Sequence, residues 1–359
     1  MNLYRGALRP ALFRLPAESA HRLAGTALGW ERPWKTLGNR LEVSDPRLEV
    51  KIGRLKLANP VGLGAGFDKD GEYLPGLSRL GFGYLVIGSI LPGYRPGNRH
   101  PRIFRYPSQE ALINCLGLPS KGVEDCAGRI SRFVSNRKPG FSGLILNIQG
   151  MTVEEYLRCF EVLEPLTDVI ELSLHCPNTR GEGVNFLDPA NLDLLLREIG
   201  KRRGDKGIFV KIRSYASPEQ RESRLELARV CLRHGVSGVT MPGSFLQAER
   251  RISLGEGNIS GRPTMERNLT FIRELYEVTG ARLAIKSLGG IFSGRDAFRA
   301  IAAGADCVEL VTALVYQGWR VAYQINRELL ALLERAGVTV AELRGSQLSP
   351  PAERRMSGG

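Results

Sequence analysis

The chain is expected to be an α/β protein, a (β/α)8 TIM barrel preceded by an N-terminal helical extension. Three observations lead there. Eight short apolar, β-rich runs alternate with amphipathic stretches of helical period, which is the pattern of a parallel sheet covered by helices. The length of 359 residues suits one barrel with extensions, and a hydrophobic content of 43% supplies a large core. Glycine-rich turns recur late among the 42 glycines, whereas a doubly wound open sheet usually carries its glycine fingerprint after the first strand.

Residues 1–40 read as an arm. Leu8, Leu12 and Phe13, then Leu23, Ala24 and Leu28, recur at helical spacing. Pro16 separates two short amphipathic helices, and Pro-Ala-Glu-Ser is a natural start for the second. Arg5, Arg9, Arg14 and Arg22 interrupt the apolar residues, so no secretory leader is expected. Such helices lie on a membrane surface or pack on the barrel. A hairpin-like stretch, 41–60, follows. The eight runs are 59–67, 83–90, 143–150, 167–175, 207–214, 235–243, 282–290 and 305–313. Helical patterns such as Val153 to Leu163, Pro189 to Arg203 and Glu219 to Arg233 lie between them. The barrel is assigned to 41–340 and a disordered tail to 341–359, which ends in SQLSPPAERRMSGG.

The net charge of +13 and pI near 9.7 suit an anionic partner, and equally a solvated basic surface. Six cysteines without a C-x-x-C pair indicate free thiols in a reducing compartment. The four histidines lack metal-ligand spacing, so no metal site is expected. No apolar run approaches the ~20 residues of a membrane-spanning helix.

In such barrels the active site lies at the C-terminal ends of the strands. Lys69, Ser89, Asn147, Ser173, Lys211, Thr240, Gly290 and Thr312 stand there. In GAGFDKDG (64–71), a small-residue turn admits a planar ligand and Lys69 can hold an anion, although a lysine between aspartates is commonly a surface ion pair. LINCLGLPSKG (112–122) reads as a loop in which Asn114 offers a donor and an acceptor. ELSLHCPNTRGEG (171–183) ends a strand in Cys176-Pro177-Asn178-Thr179. A thiol there, with a reference pKa of about 8.5, suits a general acid or base. The turns NISGRP (258–263) and SLGGIFSG (287–294), with ELVTAL (309–314), would aim backbone N–H groups at a phosphate.

Together NPVGLGAGFDKDGE, IGSILPGYRPGNRHPRIFRY, LINCLGL, CPNT, VKI and the two glycine turns resemble dihydroorotate dehydrogenase, in the order and spacing of its membrane-associated, quinone-using class. The resemblance runs from about Leu3 to Glu334 and includes the arm. It implies an FMN enzyme that oxidises dihydroorotate to orotate in pyrimidine biosynthesis and passes electrons to a quinone. FMN would be held by Ala65, Gly66, Lys69, Ser89, Asn147, Ser173, Lys211 and Thr240, with its phosphate on Gly261, Gly290, Val311 and Thr312. Lys69, Asn114, Cys115, Leu116, Gly117, Leu118 and Asn178 would hold the substrate, Cys176 would be the base, and His21 and Arg105 would lie near the quinone. A peripheral position on the cytoplasmic face of a membrane is implied, and no nucleic-acid partner is expected.

The chain departs from the family in carrying Cys176 where the quinone class has serine, Ser173 and Met241 where asparagines meet the ligands, and Val311 for a tyrosine. Losing two amide partners should cost roughly 1–3 kcal/mol each for a pyrimidine ring. Another small anionic substrate on the same flavin therefore stays open, as does a reading like tRNA-dihydrouridine synthase. Glu171, two residues before Ser173, should point into the barrel. Lys286 is expected to pair there with Glu309 or Glu171, since a lone buried charge is costly.

Overall fold

The computed structural model describes residues 3–38, 40–136, 143–174 and 183–348. Eight parallel strands close a barrel: β1 (Val61–Leu63), β2 (Tyr84–Ile90), β3 (Leu144–Ile148), β4 (Val169–Ser173), β5 (Gly207–Lys211), β6 (Gly238–Pro242), β7 (Ala284–Leu288) and β8 (Cys307–Leu310). Each lies inside one of the eight apolar runs, and each pairs with its neighbours in chain order until β8 meets β1. The runs become strands because they are too short and too continuously apolar for amphipathic helices. The intervening stretches become helices with side-chain caps, as at Thr152, Asp188, Ser217 and Ser293. The stretch at 41–60 does form a hairpin, Val50–Ile52 against Leu55–Leu57.

The barrel interior is filled by a mixed layer. The rings of Tyr84 and Phe209 occupy much of it, and both side chains are fully buried. Glycines make the room: a Cβ on Gly62 would lie 2.2 Å from the Tyr84 ring, and one on Gly238 would lie 2.3 Å from Phe209. The expected ion pair is there and is a triad. The Lys286 ammonium is 2.6 Å from Glu171 and 2.8 Å from Glu309, with all three side chains shut off from solvent. Glu171 also accepts hydrogen bonds from Asn147 Nδ2 and Thr240 Oγ1, each at 2.8 Å.

Three expectations need correction. The start of the stretch read as a loop at 112–122, Leu112–Asn114, and most of the turn read at 258–263, Asn258–Gly261, lie in a four-stranded antiparallel sheet. Its order is Phe245–Ala248, Glu256–Gly261, Ala111–Asn114, Ile103–Tyr106. These strands are short and half exposed, so they carry no long apolar run. The arm has more helix than two units: Tyr4–Leu8 continues into Arg9–Phe13, Ala17–Gly29 follows Pro16, and Glu31–Gly38 adds a further helix. Pro33 lies in the first turn of that last helix, where a missing N–H is harmless. Residues 341–348, expected to be disordered, are packed. Thr339 and Glu342 form a capping box for Val340–Leu343, and Arg344 pairs with Asp306 at 2.9 Å. The rest of that tail lies outside the described residues.

Candidate active site

A cavity of about 620 Å³ opens at the C-terminal ends of the strands, between the barrel, the inserted sheet and the arm. Its wall includes Ala65, Gly66, Lys69, Ser89, Ser173 and Lys211 from the barrel side. Asn114, Leu116, Gly117 and Leu118 come from the β2–β3 insertion, and Gly261, Gly290, Val311 and Thr312 from the late turns. The resemblance had placed all of these at the site. His21 reaches the same cavity from the arm. Cys176 and Asn178 lie outside the described residues, on the segment that follows β4.

Four expected residues are placed differently. Asn147 and Thr240 have no surface open to the cavity; they sit one layer below it, hydrogen-bonded to Glu171. The alternation of a strand explains this, because Gln149 and Pro242, two residues on, are the ones that line the wall. Cys115 is fully buried on the opposite face of its segment, among Ile113 and Ile252, whereas Leu112, Asn114 and Leu116 face the cavity. Arg105 does not line the cavity. It donates to the carbonyls of Leu12 and Phe13, both at 3.3 Å, and its guanidinium lies over the Phe13 ring. It therefore holds the end of the first arm helix against the inserted sheet.

The turn after β1 is braced from inside. Asp68 is buried and accepts from the backbone N–H of Glu72 at 2.9 Å and Tyr73 at 2.8 Å. Burial pushes its carboxyl up to about 6, against those hydrogen bonds. The next residue, Lys69, donates to the Gly66 carbonyl at 2.8 Å. Burial lowers its pKa, and an incoming carboxylate would favour the charged form. Gly66 has a φ of +108°, and a Cβ built on it meets nothing within 4 Å, so the turn presents open backbone to the cavity.

Further cavity residues were missed in the sequence. Glu18, Tyr73, Arg102, Gln149 and Arg213 all line it. Glu18 bridges Arg102 at 2.8 Å and His100 at 2.6 Å, which ties the arm to the β2–β3 insertion. Gln149 was within reach of the alternation rule; the contacts between arm and insertion had no local signal. The imidazole of His21 meets Phe67 and Tyr73 edge-on, at ring separations of 4.9 Å and 5.6 Å. Burial, then the nearby Lys69, lowers its pKa to about 4. His21 is therefore expected to stay neutral down to about pH 5, which an NMR titration of its ring protons would check; a midpoint near 6.5 would contradict the buried position.

The family model described as dihydroorotate dehydrogenase matches residues 47–333. This chain belongs to the dihydroorotate dehydrogenase family. The protein named dihydroorotate dehydrogenase (quinone) of Deinococcus deserti is 33% identical to it, over 94% of this chain and 97% of that protein. The one of Anaeromyxobacter dehalogenans is 34% identical over 98% of both, so the likeness extends through the arm. A crystal structure of DHODH from Eimeria tenella in complex with ferulenol superposes with a TM-score of 0.78 at 26% identity, covering 93% of this chain and 96% of that one.

Proposed function

We propose that this chain oxidises dihydroorotate to orotate, with FMN as cofactor and a quinone as electron acceptor. The observation that carries the reading is one cavity with three zones. Glycine turns at Gly261 and Gly290 and the start of the helix Thr312–Gln317 offer backbone to a phosphate. Lys69 and Asn114 offer a cation and an amide to an anionic pyrimidine. Phe67, Tyr73 and His21 line an aromatic side of the cavity next to the arm.

The residues fit FMN. Gly66 leaves space for a planar ring, Lys211 brings a cation to the wall, and the buried Gln149 Oε1 has no hydrogen-bond partner among the described residues. When bound, FMN supplies the two-electron acceptor. Ser89, Ser173 and Lys211 would hold its ring, with Asn147 and Thr240 supporting the floor from below. Lys69 pairs with the substrate carboxylate, Asn114 and Asn178 with its ring amides, and Cys176 takes the proton from carbon 5. Anaerobic addition of dihydroorotate to the yellow holoenzyme should bleach the flavin band. A protein that stays colourless after FMN addition would overturn the cofactor, and a flavin left oxidised would overturn the substrate.

A second reading, another small anionic substrate on the same flavin, is favoured by residue 241. Met241 is 2% exposed and packs in the hydrophobic core, so that position brings no amide to the cavity.

No helix among the described residues is long and apolar enough to cross a membrane. The arm instead exposes Leu3, Leu8, Leu15, Leu23 and Trp30, interleaved with arginines. This supports a peripheral position on a membrane, with the arm as the contact. Removing residues 1–30 should weaken liposome binding and quinone reduction while substrate still reduces the flavin. Equal lipid association with and without the arm would refute the contact.

A further inference from the structure

The triad below the cavity is not charge-balanced: two carboxylates, Glu171 and Glu309, share one ammonium, Lys286. The two carboxylates are not equivalent. Glu171 is fully engaged, accepting from Asn147, Thr240 and Lys286. Glu309 meets Lys286 through Oε1, with the Tyr84 hydroxyl at 3.5 Å. Its Oε2 is buried without a hydrogen-bond partner among the described residues. Glu309 is 2% exposed, and it and Lys211 both belong to the wall of the cavity. An open oxygen on a buried carboxylate is a place for a proton.

We propose that Glu309 takes up a proton when FMN bound in the cavity is reduced and releases it on reoxidation, so that the triad balances the charge added above it. The inference rests on the FMN reading of the cavity. A hydride from the substrate would add two electrons and one proton to bound FMN, one net negative charge, while the carbon 5 proton goes to Cys176. The proton that balances the added charge would come from bulk water, form an O–H bond at Glu309, and return to water when the two electrons, with the flavin's proton and one more from solvent, pass to the quinone.

The groups that face Glu309 support this. Lys286 from β7, Glu171 from β4, Lys211 from β5 and the Tyr84 hydroxyl from β2 surround it, and Cys307 lies two residues earlier on β8. Asn147 and Thr240, from β3 and β6, do not titrate. Just after β1, the backbone of Gly64 lies against the open oxygen, which is 3.1 Å from where a Cβ would stand. Burial raises the Glu309 pKa, and Lys286 only partly offsets it. Burial pushes Glu171 the same way, but Lys286, Lys211 and its hydrogen bonds hold it below the ordinary carboxylate value. A proton entering the triad therefore goes to Glu309, and a new negative charge nearby favours its entry.

The test is a spectroelectrochemical titration of the FMN-loaded enzyme from about pH 6 to 8 in wild type and Glu309→Gln. That variant leaves Lys286 and Glu171 as a matched pair. The wild-type potential should fall more steeply with pH, by up to about 30 mV per pH unit, the tenfold equivalent for one proton per two electrons. Equal slopes in the two loaded proteins would overturn the proposal while leaving the function intact. Failure of wild type to load with FMN would overturn the functional reading and the proposal with it. If the variant does not fold, wild type alone decides. Its reduced-minus-oxidised infrared spectrum should gain a protonated-carboxyl C=O band that shifts in D2O, and the absence of that band would refute the proton site.

Discussion

Lys286→Met should destabilise the protein by about 3–5 kcal/mol in urea unfolding. The ammonium is fully enclosed with Glu171 and Glu309, and its removal leaves two carboxylates close together in a floor closed to solvent. Such carboxylates are pushed above their unfolded pKa values. The remaining stability is then greatest at acid pH and is lost as pH rises through the folded pKa values. The deficit of Lys286→Met should accordingly be largest in alkali and shrink toward about pH 5. Adding Glu171→Gln and Glu309→Leu should recover much of the loss, because the amide oxygen then present at position 171 still accepts from Asn147 and no charge is stranded. A loss below about 1 kcal/mol in the single variant would mean that water enters the floor and solvates the carboxylates.

Cys176→Ala should lower turnover by roughly 10²–10⁴-fold while FMN stays bound. The cysteine follows β4, whose last residue, Ser173, is on the cavity wall, and the phosphate turns lie on other strands. Cys176→Ser should keep part of the rate, with the rising limb of its pH profile moved to higher pH, since a hydroxyl is a far weaker acid than a thiol near 8.5. Full turnover in the alanine variant would place the base elsewhere, with His175 the next candidate. Loss of flavin together with activity would instead make the cysteine a structural residue.

The barrel was legible because its signals are local. Each run such as GYLVIGSI or GIFVKIRS is mostly apolar, with polar residues near its C-terminal end, and the helices between them carry their own caps. The pairing of Lys286 was also legible, since parity along a strand fixes which residues share a side and an enclosed charge requires a partner. The misplacements have the same origin in depth and parity. Asn147 and Thr240 stand on the interior side as expected, but one layer lower than the cavity. Cys115 belongs to a chain segment that alternates, so its neighbours Asn114 and Leu116 face the cavity and it does not. The inserted sheet escaped notice because its pairing joins segments more than a hundred residues apart, and neither half has a long apolar run. Arg105 marks another limit. A cation that fastens a helix end and a cation that touches a ligand look alike until the carbonyls of Leu12 and Phe13 are seen beside it.

The inserted sheet has a consequence for how such a protein can be altered. One half comes from the β2–β3 connection and the other from β6–β7, and they are joined edge to edge, Asn114 opposite Asn258 and Ala111 opposite Gly261. Neither half is a self-contained module. A recombinant that takes the first connection from one relative and the second from another must match two unrelated stretches of chain along a single seam. A one-residue slip would turn Asn114 away from the cavity and carry Gly261 off its turn. The two connections should therefore be inherited or engineered together, as one transplanted unit with a gap of more than a hundred residues in its middle.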